Sequence, residues 1–337
     1  MANETFQAYR KAAAYLKAEL IQHNKECPQI GIICGSGLSG LSDTLTSTLT
    51  VKYSSIPGFP PSTGVVGHKG EVVFGLLDGN PAMCFRGRFH SYEGHDMNVT
   101  ALPARVMRCL GVKLMIVTNA AGGLNSTYNV GDIVSVMDYF AIPMLAGKNP
   151  LIGHNDDELG PRFPPTSNAF DEHLQSVVLD AASKLEMEGF VRKNGTYSFV
   201  SGPMYESKAE CRFLKQSGGD CVGMSTVPEI VAAHHSGMKV LCLSLVTNKV
   251  VISGDEGPPA SHQEVLDAVN IRSRQIQKMV KEIAAMLHDG GFFEKMTDLP
   301  EINLDTTEKK SMLENVRSYY LLLGLGSIAI CAILKKR

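Results

Sequence analysis

The feature that most limits what this chain can fold into is a recurring pair: an apolar run, then a cluster of small or polar residues. The runs "QIGIIC", "EVVFGLL", "AMCFRG", "KLMIVTN", "DIVSVMDYF", "TYSFVSG", "CVGM" and "KVLCLSLVTN" read as strands, because they are short and bounded by turn residues. Helical patterns fall between them, over 98–110, 167–186, 207–216, 227–236 and 261–287. An amphipathic helix opens the chain, with Phe6, Tyr9, Ala13, Leu16 and Leu20 at helical spacing. This alternation is α/β grammar. At the ends of the runs stand "GSG" (35–37), "GRFH" (87–90), "NAAGG" (119–123), "GPMYE" (202–206), "MST" (224–226) and "TNK" (247–249). Ligands of α/β sheets bind outside the carboxyl ends of strands, so six such clusters point to one composite pocket.

At 337 residues and 44% hydrophobic, the chain is long enough to bury a sizeable core. The formal net charge is -2 with basic residues scattered, which leaves no electrostatic footprint for nucleic acid. Eight cysteines stand singly, with no C-x-x-C pair, as buried thiols do in a reducing compartment. Charges interrupt the first twenty residues, so no signal peptide is read there. No internal period indicates a repeat architecture. The Pro, Gly and Asn-rich stretch 141–165 is long for a plain connection and is expected to carry function or cover a site.

Gly35, Gly37 and Gly40 fit G-x-G-x-x-G, but no Asp or Glu occurs between Asp43 and Glu71. A dinucleotide site needs an acid about 20 residues on for the ribose hydroxyls. The loop suits a smaller anion, with backbone N–H groups at a helix start and the Ser36 hydroxyl as donors. A plain strand-to-helix turn fits the loop alone equally well. His68, Arg88 and His90 add two imidazoles and a permanently charged fork, the groups that hold a phosphate-sized dianion. The spacing of His90, Glu93 and His95 does not match the H-x-x-E-H zinc motif, and no metal is expected.

With these loops assembled, "CGSGL", "GHKG", "GRFHSYEG", "TNAAGGLN", "GPMYESKAEC", "VGMSTVPE" and "SLVTNKV" stand in order over about residues 4 to 288. Together they resemble the trimeric purine nucleoside phosphorylase family. The resemblance implies a single α/β domain (1–290) with a mixed, partly barrel-like central sheet flanked by helices, assembled as a homotrimer. It implies reversible phosphorolysis of 6-oxopurine (deoxy)ribonucleosides such as inosine and guanosine, with inorganic phosphate as co-substrate and no cofactor. By that resemblance Ser36, His68, Arg88, His90, Ser225 and the backbone at Ala120 hold phosphate. Tyr92, Met224 and His262 contact ribose, His262 at the 5′-hydroxyl. Ala121, Tyr205, Glu206 and Asn248 read the base, flanked by Lys249, and His90, Glu206, Asn248 and His262 carry the catalysis.

Two positions depart from the family pattern. Leu159 stands where a phenylalanine usually reaches the neighbouring subunit's site, and Tyr205 replaces a more usual phenylalanine beside the base. Leucine offers less area and no ring face. Two alternative readings are a related phosphorylase of the methylthioadenosine type and a membrane-tethered purine-binding scaffold with little turnover. Asn248 and the polar His262 count against the first.

Residues 291–317 read as a charged linker, and 318–337 as a hydrophobic tail expected to form a helix. No charge occurs in the 17 positions from Ser318 to Leu334, before Lys335, Lys336 and Arg337. Seventeen residues are about the lower limit for crossing a ~30 Å hydrocarbon core, and a surface helix normally keeps a polar face. The tail is therefore read as a C-terminal anchor in an intracellular membrane such as the mitochondrial outer membrane, with the catalytic domain facing the cytosol. The alternative is a helix docked on the trimer or a partner.

Overall fold

Alternation along the central strands decides the architecture, because each sends side chains to both faces of a sheet. The computed structural model describes residues 2–60, 68–252 and 262–304, the side chains of 2–6 and 262–264 excepted. Its strands are β1 (Ile30–Ile33), β2 (Thr46–Lys52), β3 (Glu71–Leu77), β4 (Asn80–Phe85), β5 (Leu114–Gly123), β6 (Ile133–Ala141), β7 (Val191–Phe199), β8 (Cys221–Gly223) and β9 (Lys239–Lys249). Its helices are α1 (Ala2–Gln22), α2 (Met97–Thr100), α3 (Leu102–Cys109), α4 (Ile142–Leu145), α5 (Glu172–Lys184), α6 (Lys208–Gln216), α7 (Val227–His235), α8 (His262–Asp289) and α9 (Phe292–Lys295).

The sheet runs β2-β3-β4-β1-β5-β8-β7-β6-β9, and β9 pairs back onto β5. Strands β5 to β9 therefore close on themselves, while β1 to β4 extend from β5 as an open wing. Pairing is mixed: β1 is parallel to β4 and β5, and β9 is parallel to β5 but antiparallel to β6. Ile33, Met83, Phe85, Met115 and Val117 face one hydrophobic cluster with α1, α3 and α7. Ile32, Cys84, Leu114 and Ile116 face a second, with α5 and α8. Each such fully buried aliphatic side chain contributes ~1.5–3 kcal/mol. Helix α8 supplies Ile276, Val280, Ile283 and Leu287 to that cluster, spacings of three and four that keep one face inward.

Three local expectations change. Strand β2 had no apolar signature because it is an exposed edge strand paired only to β3. The helix expected over 98–110 breaks at Ala101, where Pro103 begins a new first turn in α3, a position that tolerates a missing N–H. The first part of the segment expected as a linker is docked: Ile302 is buried, Arg10 Nε donates to the Asn303 carbonyl, and Lys113 pairs with Asp298. The seven described cysteines are free thiols, and six are buried. The tail at 318–337 lies outside the described residues. Among the described residues no helix is long and apolar enough to cross a membrane.

Candidate active site

The carboxyl ends of β1, β4, β5, β8 and β9 meet around one cleft. Ser36, Arg88, His90, Ala120 and Ser225 line it. Tyr92 and Met224 line the same cleft, as do Ala121, Tyr205, Glu206 and Asn248. His68 is not on the wall but hydrogen-bonds to Ser36 behind it. Lys249 is exposed beyond Asn248. His262 opens α8, and its side chain lies outside the described residues.

The glycine loop differs from expectation in one respect. It leads into a 3₁₀ turn, Ser39–Thr44, rather than an α-helix, and the Gly35 N–H donates to Thr118 Oγ1. No helix N-terminus is presented to the cleft there. Gly37 holds φ +73°, which only glycine adopts without strain. The donors come instead from side chains. Arg88 donates its backbone N–H to His68 Nδ1 at 3.1 Å, so the His68 proton resides on Nε2, facing Ser36 Oγ at 3.1 Å. A hydroxyl that accepts there has its own hydrogen to give elsewhere.

Arg88 itself is only 1% exposed. Its Nη1 donates to Ser225 Oγ (2.6 Å) and Thr226 Oγ1 (2.8 Å), and its Nη2 to the Thr118 carbonyl (2.7 Å). Glu229 stands 3.6 Å from Nε, equally buried, as the counter-ion. Burial pushes the Glu229 carboxyl up, against the pull of Arg88. The guanidinium is thus fixed from three sides.

His90 is held by its own helical turn. Glu93 accepts from the His90 backbone N–H at 2.8 Å and lies 3.2 Å from Nδ1. Burial first, then the Arg88 charge, lowers His90 to about 3, so the ring is neutral at neutral pH. A proton on Nδ1, directed to the carboxylate, leaves Nε2 as an acceptor. Tyr92 stacks on His90 at 4.6 Å between centroids, and burial pushes its hydroxyl up to about 12.

Asn248 is aimed by a bulge. The β5–β9 register runs Ala121↔Val246 and then Gly122↔Asn248, so Thr247 is the extra residue, and such bulges redirect neighbouring side chains. The Thr247 hydroxyl lies 3.2 Å from Asn248 Oδ1 and 3.3 Å from the Ala121 carbonyl, two acceptors for its one hydrogen, and the amide nitrogen lies beside Gly122. Glu206 precedes the capping box of α6, in which Ser207 and Glu210 satisfy each other's backbone. Burial, with Glu210 nearby, raises the Glu206 carboxyl.

Sequence reading missed Glu93, Thr226 and Glu229, the residues that fix the polarity and direction of the others. Their signal is faint: Glu93 stands in a spacing that does not match a zinc motif, and "TVPE" reads as an ordinary helix start. Leu159 is 5% exposed within the chain's own core, where a turn closed on Asp156 folds it in. Phe163, four residues on, is the exposed ring of that segment.

A mixed sheet closed on one side, with hydroxyl and guanidinium donors, a carboxylate and a carboxamide lining one cleft at its strand ends, is the arrangement of an α/β enzyme with a polar ligand. The sequence profile of the phosphorylase superfamily matches residues 29–285. The chain belongs to that superfamily. Among its relatives, the purine nucleoside phosphorylase of Bos taurus is 42% identical over 289 residues, 85% of this chain and 97% of the relative. Purine nucleoside phosphorylase 1 of Bacillus subtilis is 43% identical over 275 residues, 82% and 97% respectively. The crystal structure of Schistosoma mansoni purine nucleoside phosphorylase with adenosine superposes with a TM-score of 0.77 at 40% identity, covering 83% of this chain and 96% of that one. Isoform 2 from the same organism, with cytosine and ribose-1-phosphate, gives 0.78 at 40% identity, covering 84% and 97%.

Proposed function

We propose that this protein is a purine nucleoside phosphorylase acting reversibly on inosine, guanosine and their deoxy forms, releasing the base and (deoxy)ribose 1-phosphate. In this reading the oxyanion end takes hydrogen phosphate. Ser36, Ser225 and Arg88 donate to its oxygens together with backbone at Ala120. His90 Nε2 accepts the P–OH hydrogen, and His68 acts through Ser36. Tyr92, Met224 and His262 take the sugar, and Ala121, Tyr205, Glu206 and Asn248 the base.

The C1′–N9 bond breaks with its electrons moving onto the purine, a phosphate oxygen forms the new bond at C1′, and in the net balance the P–OH hydrogen is taken up by the departing base, which leaves neutral. Asn248 donates to N7, a contact that strengthens as charge gathers there, while Glu206 accepts from N1–H and holds the base in register. Phosphate beside an oxocarbenium-like C1′ supplies proximity and charge, and no protein nucleophile is used. The observation that carries the reading is that Arg88, pinned by Ser225, Thr226 and Thr118, shares one cleft with Glu206 and Asn248. Incubating the protein with inosine, with and without phosphate, tests it. Phosphate-dependent hypoxanthine release is expected; phosphate-independent release would indicate a hydrolase, and binding without release a scaffold.

The reading includes a homotrimer, no cofactor, phosphate being a co-substrate, and a C-terminal anchor carried by the uncharged run 318–334. For the anchor, carbonate-resistant membrane association is expected, lost on deleting 311–337; full extraction of the whole chain by carbonate removes it from the proposal.

A further inference from the structure

Thr226 lies behind the oxyanion end of the cleft, 1% exposed. Its backbone holds φ 78°, ψ -49°, a left-handed geometry that a β-branched residue adopts only under strain. The Val227 N–H closes this three-residue turn on the Ser225 carbonyl at 2.9 Å, a rare and costly turn type. The side chain accounts for its persistence. Arg88 Nη1 donates to Thr226 Oγ1 at 2.8 Å and Asn119 Nδ2 at 3.1 Å. Neither nitrogen can accept, so both Thr226 lone pairs are filled and its hydrogen goes to Ser225 Oγ, 3.0 Å away. Ser225 Oγ already accepts from Arg88 Nη1 at 2.6 Å. Its lone pairs are then filled as well, and its own hydrogen must be given away. The buried Tyr197 hydroxyl lies beside Ser225, but an oxyanion in the cleft is the stronger acceptor.

We infer that Thr226 is a positioning residue for the oxyanion subsite: its hydroxyl fixes Ser225 as a donor and, through the strained turn and the Arg88 fork, aims both at the anion. The inference rests on the phosphorolysis reading. That reading is checked separately by wild-type turnover, which must depend on phosphate before the variants are interpreted.

The test compares Thr226→Ser with Thr226→Ala. Both lose the γ-methyl and relieve the same branch strain, so they differ only in the hydroxyl. For Thr226→Ser, a phosphate KM within threefold of wild type is expected. For Thr226→Ala, the phosphate KM rises at least tenfold, about 1.4 kcal/mol, while the hypoxanthine Kd measured by titration stays within twofold. A purely structural role would weaken both ligands together. Equal phosphate KM values for the serine and alanine variants overturn the inference, as does parallel loss of hypoxanthine binding. If the alanine chain does not fold, Thr226→Val provides the hydroxyl-free comparison at the same shape. Failure of both to fold also counts against the inference, because the hydroxyl would then serve folding rather than the subsite.

Discussion

At the scale of single residues, base choice is a matter of hydrogen-bond polarity. A 6-oxopurine offers N1–H to the Glu206 carboxylate, whereas adenine offers a lone pair there. Leaving a buried bond to a charged group unmade costs ~1–3 kcal/mol, which is roughly ten- to hundredfold in rate. Inosine should therefore be turned over faster than adenosine, even though a relative was crystallised with adenosine. Asn248→Asp replaces the amide donor by an acceptor for a 6-amino group. The ratio of kcat/KM for adenosine over inosine should rise at least tenfold, and an unchanged ratio in steady-state assays would remove the polarity argument. Glu206 also sets a pH dependence. Burial favours its neutral form, so the accepting carboxylate is lost at a higher pH than for a solvated glutamate. The acid limb of kcat/KM for inosine should begin above the ordinary value of 4.5. Glu206→Gln should lower the plateau and abolish that part of the limb, leaving only the ionisation of phosphate. A limb of the same shape in the variant would assign the proton elsewhere.

At the scale of elements, the loops at strand ends do the positioning. The loop from β7 to α6 turns at Gly202 with φ +67°, where an added Cβ would sit 2.5 Å from Met224 Sδ and 3.2 Å from Tyr92 Cδ1. Gly202→Ala should raise the nucleoside KM about tenfold and the phosphate KM by less, since Arg88 and Ser36 lie on other elements while Met224 adjoins Ser225 and Tyr92 stacks on His90. It should also cost ~1–3 kcal/mol in unfolding free energy through the strained φ. Denaturant titration and kinetics on one preparation check both effects. The elements were largely legible because buried strands such as β1, β5 and β9 advertise themselves as apolar runs, and because the clusters after them announced a shared pocket. Strand β2 was not legible, since an exposed edge has little to bury. Closure of β9 onto β5 was legible only through the family resemblance, which implied a partly barrel-like sheet, because pairing between segments over a hundred residues apart leaves no local trace. The same limit hid Thr226 and Glu229. Their roles depend on an arginine 138 residues away from Thr226 and on which lone pairs it fills.

At the scale of the whole molecule, an apolar surface calls for a partner. Met144, Leu145, Leu151, Ile152 and Phe163 line a groove that also reaches Val231 on α7, and Leu145, Ile152 and Phe163 are exposed by 75%, 58% and 87%. Contiguous apolar surface of this kind normally marks an interface, and the proposed homotrimer supplies an occupant: the next copy of the chain. Most closed homo-oligomers obey cyclic symmetry, so each copy in a trimer would both offer this patch and cover a neighbour's. An aspartate at Ile152 or Phe163 would then be desolvated without a partner on assembly, a cost of several kcal/mol at each interface. In the isolated chain it would remain solvated, because both side chains already face water. The combined Ile152→Asp and Phe163→Asp variant should therefore fold normally, with an unchanged circular-dichroism spectrum. Light scattering after size exclusion should find it with one third of the wild-type mass. A wild-type protein that runs as a monomer would refute the trimer, and a variant that stays trimeric would move the interface off this groove.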